Sequence, residues 1–312
     1  METMMNDTVH GPAAPTRCNL CRSAAISPLY ALRDEYGGAD EKRERLLHVR
    51  RCEKCGVVFI SNARDSVEVH EVFWKSVVKD VSAKFEGVSA PVPDEVLRLM
   101  EESRKTNNVL DLGCGQGHLL QRLKKKGWHE FGVEVSSDAV RFARSALRLN
   151  VVQGKAEDVQ FPDDYFDAVV MWGVIEHLDD PRGVLQKVHR ILRDGGLLFI
   201  YTPNANSFLH KMARLIYLGS GGRISYPLRG LFIPMHRYYF NQATATGILR
   251  ESGLIPFKIY KEKSSLDMIF AAHADKVWAR SGSIRYSIRA LCGIASVLRM
   301  QHHMGIYAVN RK

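Results

Sequence analysis

Four cysteines, three glycines and a few acids and histidines carry the chemistry that can be read along this chain. Cys18-Asn19-Leu20-Cys21 and Cys52-Glu53-Lys54-Cys55 are two C-x-x-C turns, each able to offer two thiolates to one tetrahedral ion. Cys18, Cys21, Cys52 and Cys55 would fill the coordination sphere of a zinc ion and leave no open position for a reacting water, so such a metal is structural. A second constellation starts where Val109-Leu110-Asp111-Leu112 runs into Gly113-Cys114-Gly115-Gln116-Gly117. Alternate glycines let backbone approach a ligand closely, and a helix beginning at the third glycine presents unpaired N–H groups to it. Glu134 follows about 20 residues on, where a carboxylate can accept hydrogen bonds from a ribose diol. The spacing G-x-G-x-G differs from the dinucleotide pattern G-x-G-x-x-G.

The elements that position these groups follow from periodicity. Val109–Leu112 reads as a strand, Gly117–Lys126 as a helix, and His129–Val135 as a second strand. Ser136 is an N-cap, and Ala139, Val140, Phe142, Ala143, Ala146 and Leu147 form the apolar face of a crossover helix, which completes a βαβ unit. A short strand at Asn150–Gln153 precedes Phe166–Trp172, a continuous apolar run of the kind buried in a parallel sheet. The helix Pro181–Leu192 is expected to stop at Asp194-Gly195-Gly196, followed by the strand Leu197–Thr202. Asn241 caps a helix Gln242–Ser252 ending at Gly253, and strands at Leu254–Tyr260 and Met304–Val309 close the pattern. Between the cysteine pairs, Ser27–Leu32 and Leu46–Arg51 read as short strands of a zinc ribbon.

The run Asp111-Leu112-Gly113-Cys114-Gly115-Gln116-Gly117, with Glu134 ending the second strand, resembles the first motif of the class I S-adenosylmethionine-dependent methyltransferases. The resemblance spans Val96 to Lys312. It implies an α/β fold with a doubly wound, seven-stranded Rossmann-like sheet whose last strand is antiparallel between the fifth and sixth. It also implies S-adenosylmethionine as cofactor, with Asp111 and the Gly113, Cys114, Gly115 and Gly117 loop at its methionine part and Glu134 and Val135 at its ribose. In that family the loop at Gly154-Lys155-Ala156-Glu157-Asp158 reaches the adenine. Lys155 stands where an aspartate is usual, which leaves the Ala156 and Glu157 backbone and the Glu157 carboxylate to make this contact. Gly173-Val174-Ile175-Glu176-His177 is similar to the Glu-His segment of the small-molecule branch. Trp172 would sit against the cofactor, and His177 is the first candidate base, because imidazole titrates near neutrality. His236-Arg237-Tyr238-Tyr239-Phe240 resembles a His-x-x-x-Phe segment before the last crossover helix, and makes His236 a second candidate.

Composition bounds the reading. The 312 residues, 46% of them hydrophobic, allow one α/β core with a small accessory module. The expected division is a tail at 1–17, a zinc ribbon at 18–60, a connecting helix at 61–94 and a methyltransferase domain at 95–312. Insertions at 204–235 and 262–300 serve as the substrate lid. No run reaches the roughly 18 apolar residues of a membrane span, and no signal-peptide centre precedes Thr16, so the expected compartment is the cytoplasm. A net charge of +10 favours an anionic partner, whether nucleic acid such as RNA, a phosphorylated small molecule or an anionic membrane surface, and the acceptor expected is a small molecule, a glycan or a lipid-linked molecule. The leading expectation is O-methylation of a small molecule or a glycan or lipid intermediate. An RNA methyltransferase, a sugar-nucleotide C-methyltransferase and an inactive cofactor-binding scaffold are the alternatives. Gly115→Val is expected to abolish binding of the demethylated cofactor in calorimetry while the four-cysteine module stays folded; unchanged affinity would refute the assignment of the loop.

Overall fold

The computed structural model describes residues 17–36, 43–63, 94–260 and 300–312, together with Tyr286, Ala290 and Gly293. The expected tail, most of the connecting helix and the 262–300 insertion lie outside the described residues, apart from those three positions and Met300. Eighteen elements follow in order, beginning with β1 (Ile26–Tyr36), β2 (Arg43–Cys52), β3 (Val58–Ile60), α1 (Asp94–Ser103) and β4 (Asn108–Leu112). Next come α2 (His118–Lys125), β5 (His129–Glu134), α3 (Ser137–Ser145), β6 (Val151–Gln153), β7 (Phe166–Trp172), α4 (Pro181–Ile191) and β8 (Leu192–Pro203). The chain ends with α5 (Phe208–Gly219), α6 (Tyr226–Arg229), β9 (Tyr238–Tyr239), α7 (Gln242–Glu251), β10 (Leu254–Tyr260) and β11 (His303–Asn310).

Seven strands form the central sheet in the order β10-β11-β8-β7-β4-β5-β6. Strands β4, β5, β6, β7 and β8 pair in parallel, and β11 runs antiparallel to both of its neighbours. This is the doubly wound arrangement expected, with the last strand inserted antiparallel. The parallel strands read as unbroken apolar runs because helices cover both faces: every residue of β4 and all of β7 but Trp172 are buried. Ser136 and Asn241 cap α3 and α7 as expected, each accepting from a backbone N–H of the first turn. One boundary differs. β8 begins at Leu192, which pairs with Phe166, but Arg193-Asp194-Gly195-Gly196 bulges out of the ladder, with Gly195 left-handed at φ +75°, and regular pairing resumes at Leu197 as expected.

The cysteine-bearing module is not a separate body. Its strands β1, β2 and β3 form a second sheet completed by β9, which comes from the chain just after His236. Cys18, Leu20, Cys52, Val57 and Phe59 pack in one apolar cluster with Ile175, Leu178, Ile248 and Leu249 of the larger domain.

Asp167 is the buried polar group on which the amino end of β7 depends. Its Oδ2 accepts from the backbone N–H groups of Lys105, Thr106 and Asn107, each at 2.8 Å, and its Oδ1 pairs with Arg193. Burial opposes the charge, but the Arg193 guanidinium and the three N–H donors hold the carboxyl below its usual pKa. A lowered folded-state pKa means that this stabilisation is present above the ordinary carboxylate range and is lost as pH falls through the lowered value. Asp167→Asn, which leaves Arg193 unpaired, should cost about 3 to 5 kcal/mol in chemical denaturation at neutral pH. The difference from wild type should shrink under acid.

Candidate active site

A cavity of about 210 Å³ opens where β4, β5, β6 and β7 end, the position at which open α/β sheets bind ligands. Gly113, Glu134, Val135, Ala156, Glu157, Trp172 and His177 line it together. These residues come from five separate stretches of sequence.

The glycine loop owes its path to left-handed backbone: φ is +73° at Gly113, +53° at Gly115 and +82° at Gly117. The three glycines do different work. A Cβ on Gly113 would lie 2.4 Å from Val174 Cγ2, so this is where loop backbone and cavity wall meet. A Cβ on Gly117 would lie 2.4 Å from Leu149 Cδ1, so this glycine seats α2 against the core, away from the cavity. Cys114 likewise turns inward, where its side chain packs with Leu120, Val140 and Val151.

Glu134 ties the loops together. Its Oε2 accepts from Gly115 N–H and its Oε1 from Ser136 N–H, both at 2.9 Å, while its own carbonyl accepts from Gly154 N–H at 3.0 Å. Asp111, behind the loop, is 3% exposed, and its Oδ1 has no hydrogen-bond partner among the described residues. Burial and the neighbouring Glu134 push its carboxyl up to about 8. Two acids beneath a glycine loop, one of them an unsatisfied acceptor, suit a ligand that brings hydroxyl donors and a positive charge, as S-adenosylmethionine does.

On the opposite wall the Lys155 ammonium lies 3.4 Å from Asp179 Oδ2, and Glu157 Oε1 accepts from Asp179 N–H at 2.9 Å. The Glu157 carboxylate therefore braces the loop after β7 as well as facing the cavity. Trp172 stacks on Tyr201 with centroids 4.1 Å apart, and Tyr201 stacks in turn on His303.

His177 Nδ1 lies 3.1 Å from the Met235 carbonyl, and the His236 ring meets His177 edge to face at 4.7 Å. His236 is buried and lies behind His177, outside the cavity lining. Glu176 is also buried, accepts from Thr202 Oγ1 at 2.9 Å, and has its carboxyl pushed up to about 7 by burial. The Glu176 carbonyl accepts from the N–H groups of Arg237 and Tyr238, which brings the two histidine segments together.

The four cysteine sulfurs lie within 4.8 Å of one another, Cys18 to Cys55 at 3.7 Å and Cys21 to Cys52 at 3.5 Å. These distances are too long for disulfides and close to the roughly 3.8 Å edge of a tetrahedron with 2.3 Å metal–sulfur bonds, so the donor set fits zinc. Its turn reaches the cavity wall through Tyr238, whose hydroxyl accepts from Asn19 Nδ2 at 3.1 Å and donates to the Asp179 carbonyl at 3.3 Å. Arg182 Nε donates to the Leu20 carbonyl. Sequence reading gave no role to Val174, Asp179 and Tyr238, although Val174 and Tyr238 stand inside the two histidine-bearing segments and Asp179 follows the first of them.

A family model described as a methyltransferase domain matches residues 85–255, more than half of the chain. The chain belongs to this methyltransferase domain family. Over 105 residues it is 34% identical to a ubiquinone biosynthesis O-methyltransferase of Aeromonas salmonicida, a match covering 31% of this chain and 44% of that enzyme, less than half its length. A ubiquinone/menaquinone biosynthesis C-methyltransferase of Vibrio campbellii is 27% identical, covering 65% of this chain and 86% of its own. A solved complex of the Haloferax volcanii Trm112 methyltransferase activator with a methyltransferase aligns over 80% of this chain and 99% of the other at a TM-score of 0.50 and 18% identity, a likeness of fold.

Tyr238→Phe removes both bonds that join the cysteine turn to Asp179. It should weaken binding of the demethylated cofactor about tenfold, consistent with the loss of one or two hydrogen bonds, while the metal content measured by mass spectrometry stays unchanged.

Proposed function

We propose that this chain transfers a methyl group from S-adenosylmethionine to a hydroxyl oxygen of a small molecule or of a glycan or lipid intermediate. The observation that carries the reading is the convergence of Gly113, Glu134, Ala156, Glu157 and Trp172 on one cavity with His177 in its wall. When bound, the cofactor supplies a methyl group on an electrophilic sulfonium. The chain has to align the acceptor with that methyl, exclude water and take up one proton.

Glu134, with each oxygen held by a backbone N–H, keeps further lone pairs for a ribose diol. Asp111, buried beneath the loop with Oδ1 unpartnered among the described residues, would accept from the methionine ammonium, and that positive charge would draw its raised pKa back down. The Ala156 and Glu157 backbone in the cavity wall would hold the adenine, since Lys155 is taken up by Asp179. The Trp172–Tyr201 stack supplies a flat, apolar wall.

His177 is the general base. Its Nδ1–H donates to the Met235 carbonyl, so in the neutral ring Nε2 carries the basic lone pair. Nε2 would take up the proton that the acceptor hydroxyl gives up on methylation. His236, packed edge-on behind it, orients the ring. Cys18, Cys21, Cys52 and Cys55 hold a structural zinc that anchors the wall carrying Asp179. The two curated relatives named above methylate oxygen and carbon respectively by their names, so the choice of oxygen rests on the base and not on similarity.

Incubation with methyl-labelled cofactor should transfer label to a small-molecule or lipid extract. Label found only in RNA would overturn the acceptor class. His177→Ala should lower kcat by about 10²- to 10⁴-fold while affinity for the demethylated cofactor stays within about twofold; an unchanged kcat would remove His177 from the mechanism.

A further inference from the structure

The helix α5 has an inverted outer face. His210, Ala213 and Tyr217 point inward, against Phe232, Tyr239 and Tyr30. The outward stripe at i, i+3, i+4 and i+7 is Lys211, Arg214, Leu215 and Leu218, and the two leucines are 62% and 56% exposed. A surface helix ordinarily turns charged and polar residues outward, so two bare leucines beside two cations need an explanation. The same region adds Ile216, Ile224, Tyr226 and Ile233, all exposed, so six of the exposed large apolar side chains among the described residues fall within Leu215–Ile233.

Charge points the same way. From Gly195 to Arg250 there is no aspartate or glutamate, although the chain carries 34 acids in 312 residues. Lys211, Arg214, Arg223, Arg229 and Arg250 supply positive charge in that stretch, while Arg237 is paired with Asp179 at 2.7 Å.

We propose that α5, the Arg223–Tyr226 turn and Ile233 form a surface that docks on an anionic lipid bilayer. Leucine and isoleucine side chains enter the boundary between headgroups and acyl chains, while lysine and arginine beside them reach lipid phosphates with their charged ends. Exposed apolar area of this kind marks an interaction site. Nucleic acid is the weaker occupant, because its backbone rewards cations without paired leucines and its bases stack on aromatics. Tyr226 is the one exposed aromatic ring of this segment among the described residues.

Position supports the same occupant. Ile233 lies two residues before Met235, whose carbonyl holds His177 at the cavity. A chain seated on lipid through this face has the cavity wall next to the bilayer, which selects a lipid-borne acceptor. That selection rests on the proposed methyl transfer, whereas the docking does not.

Flotation of the full chain with vesicles of equal parts phosphatidylcholine and phosphatidylglycerol, and with phosphatidylcholine alone, tests the surface. Binding is expected to the anionic vesicles only and to fall as salt is raised. Leu215→Ser with Leu218→Ser, and separately Lys211→Glu with Arg214→Glu, should each weaken it about tenfold or more. Both double variants should keep the wild-type affinity for the demethylated cofactor, which confirms an intact core. Absence of binding to anionic vesicles at low salt, equal binding by the variants, retention by RNA in place of vesicles, or concentration-dependent self-association abolished by the leucine variant would each overturn the proposal. A wild-type chain that floats with vesicles but does not bind the demethylated cofactor would leave the docking in place and overturn the methyl-transfer reading.

Discussion

The carboxylate of Glu134 is the constraint from which the rest of the site follows. One side chain accepts from Gly115 in the loop after β4 and from Ser136 at the start of α3, and the same residue's carbonyl accepts from Gly154 after β6. Hydrogen bonds to a charged group are worth about 1.5 to 3 kcal/mol each. Three strand ends are therefore held at fixed spacing before any ligand arrives. Such preorganisation lowers the ordering cost of binding. Gly115, whose N–H meets this carboxylate, takes left-handed backbone at φ +53°, a path that favours glycine.

The opposite wall is held by a different device. The loop after β7 carries Glu176, His177 and Asp179, and it is pinned by Glu157, by Arg237 and by the Tyr238 hydroxyl that also meets Asn19 between two cysteines. Because β9 completes the sheet of the cysteine-bearing module, that module is part of the cavity's support. The four-cysteine cluster thus bears on the cavity through geometry alone.

Much of this was legible along the chain. The order of strands and helices, the caps at Ser136 and Asn241, the acid at Glu134 and the pairing of the two C-x-x-C turns are local or periodic signals, and the structure reproduces them. The Asp194-Gly195-Gly196 break is present as a bulge between the Leu192 and Leu197 pairings; what the sequence did not show is that Arg193 beside it turns inward to Asp167. Cys114 and Gly117 sit inside the motif yet pack against the core, while Gly113 lines the cavity. The union of the cysteine module with β9 joins residues about 180 positions apart, beyond the reach of any local pattern.

What the sequence by itself determined is the class of sheet, the family and the identity of the groups able to bind a cofactor or a metal. These rest on hydrophobic period, glycine spacing and side-chain chemistry, all of which survive without knowledge of contacts. Only the tertiary structure decided which histidine faces the cavity, which glycine lines it and which packs, and that Tyr238 links the cysteine turn to the cavity wall. Those outcomes depend on where distant segments cross, and a crossing is set by the packing of the whole core rather than by any one stretch of chain.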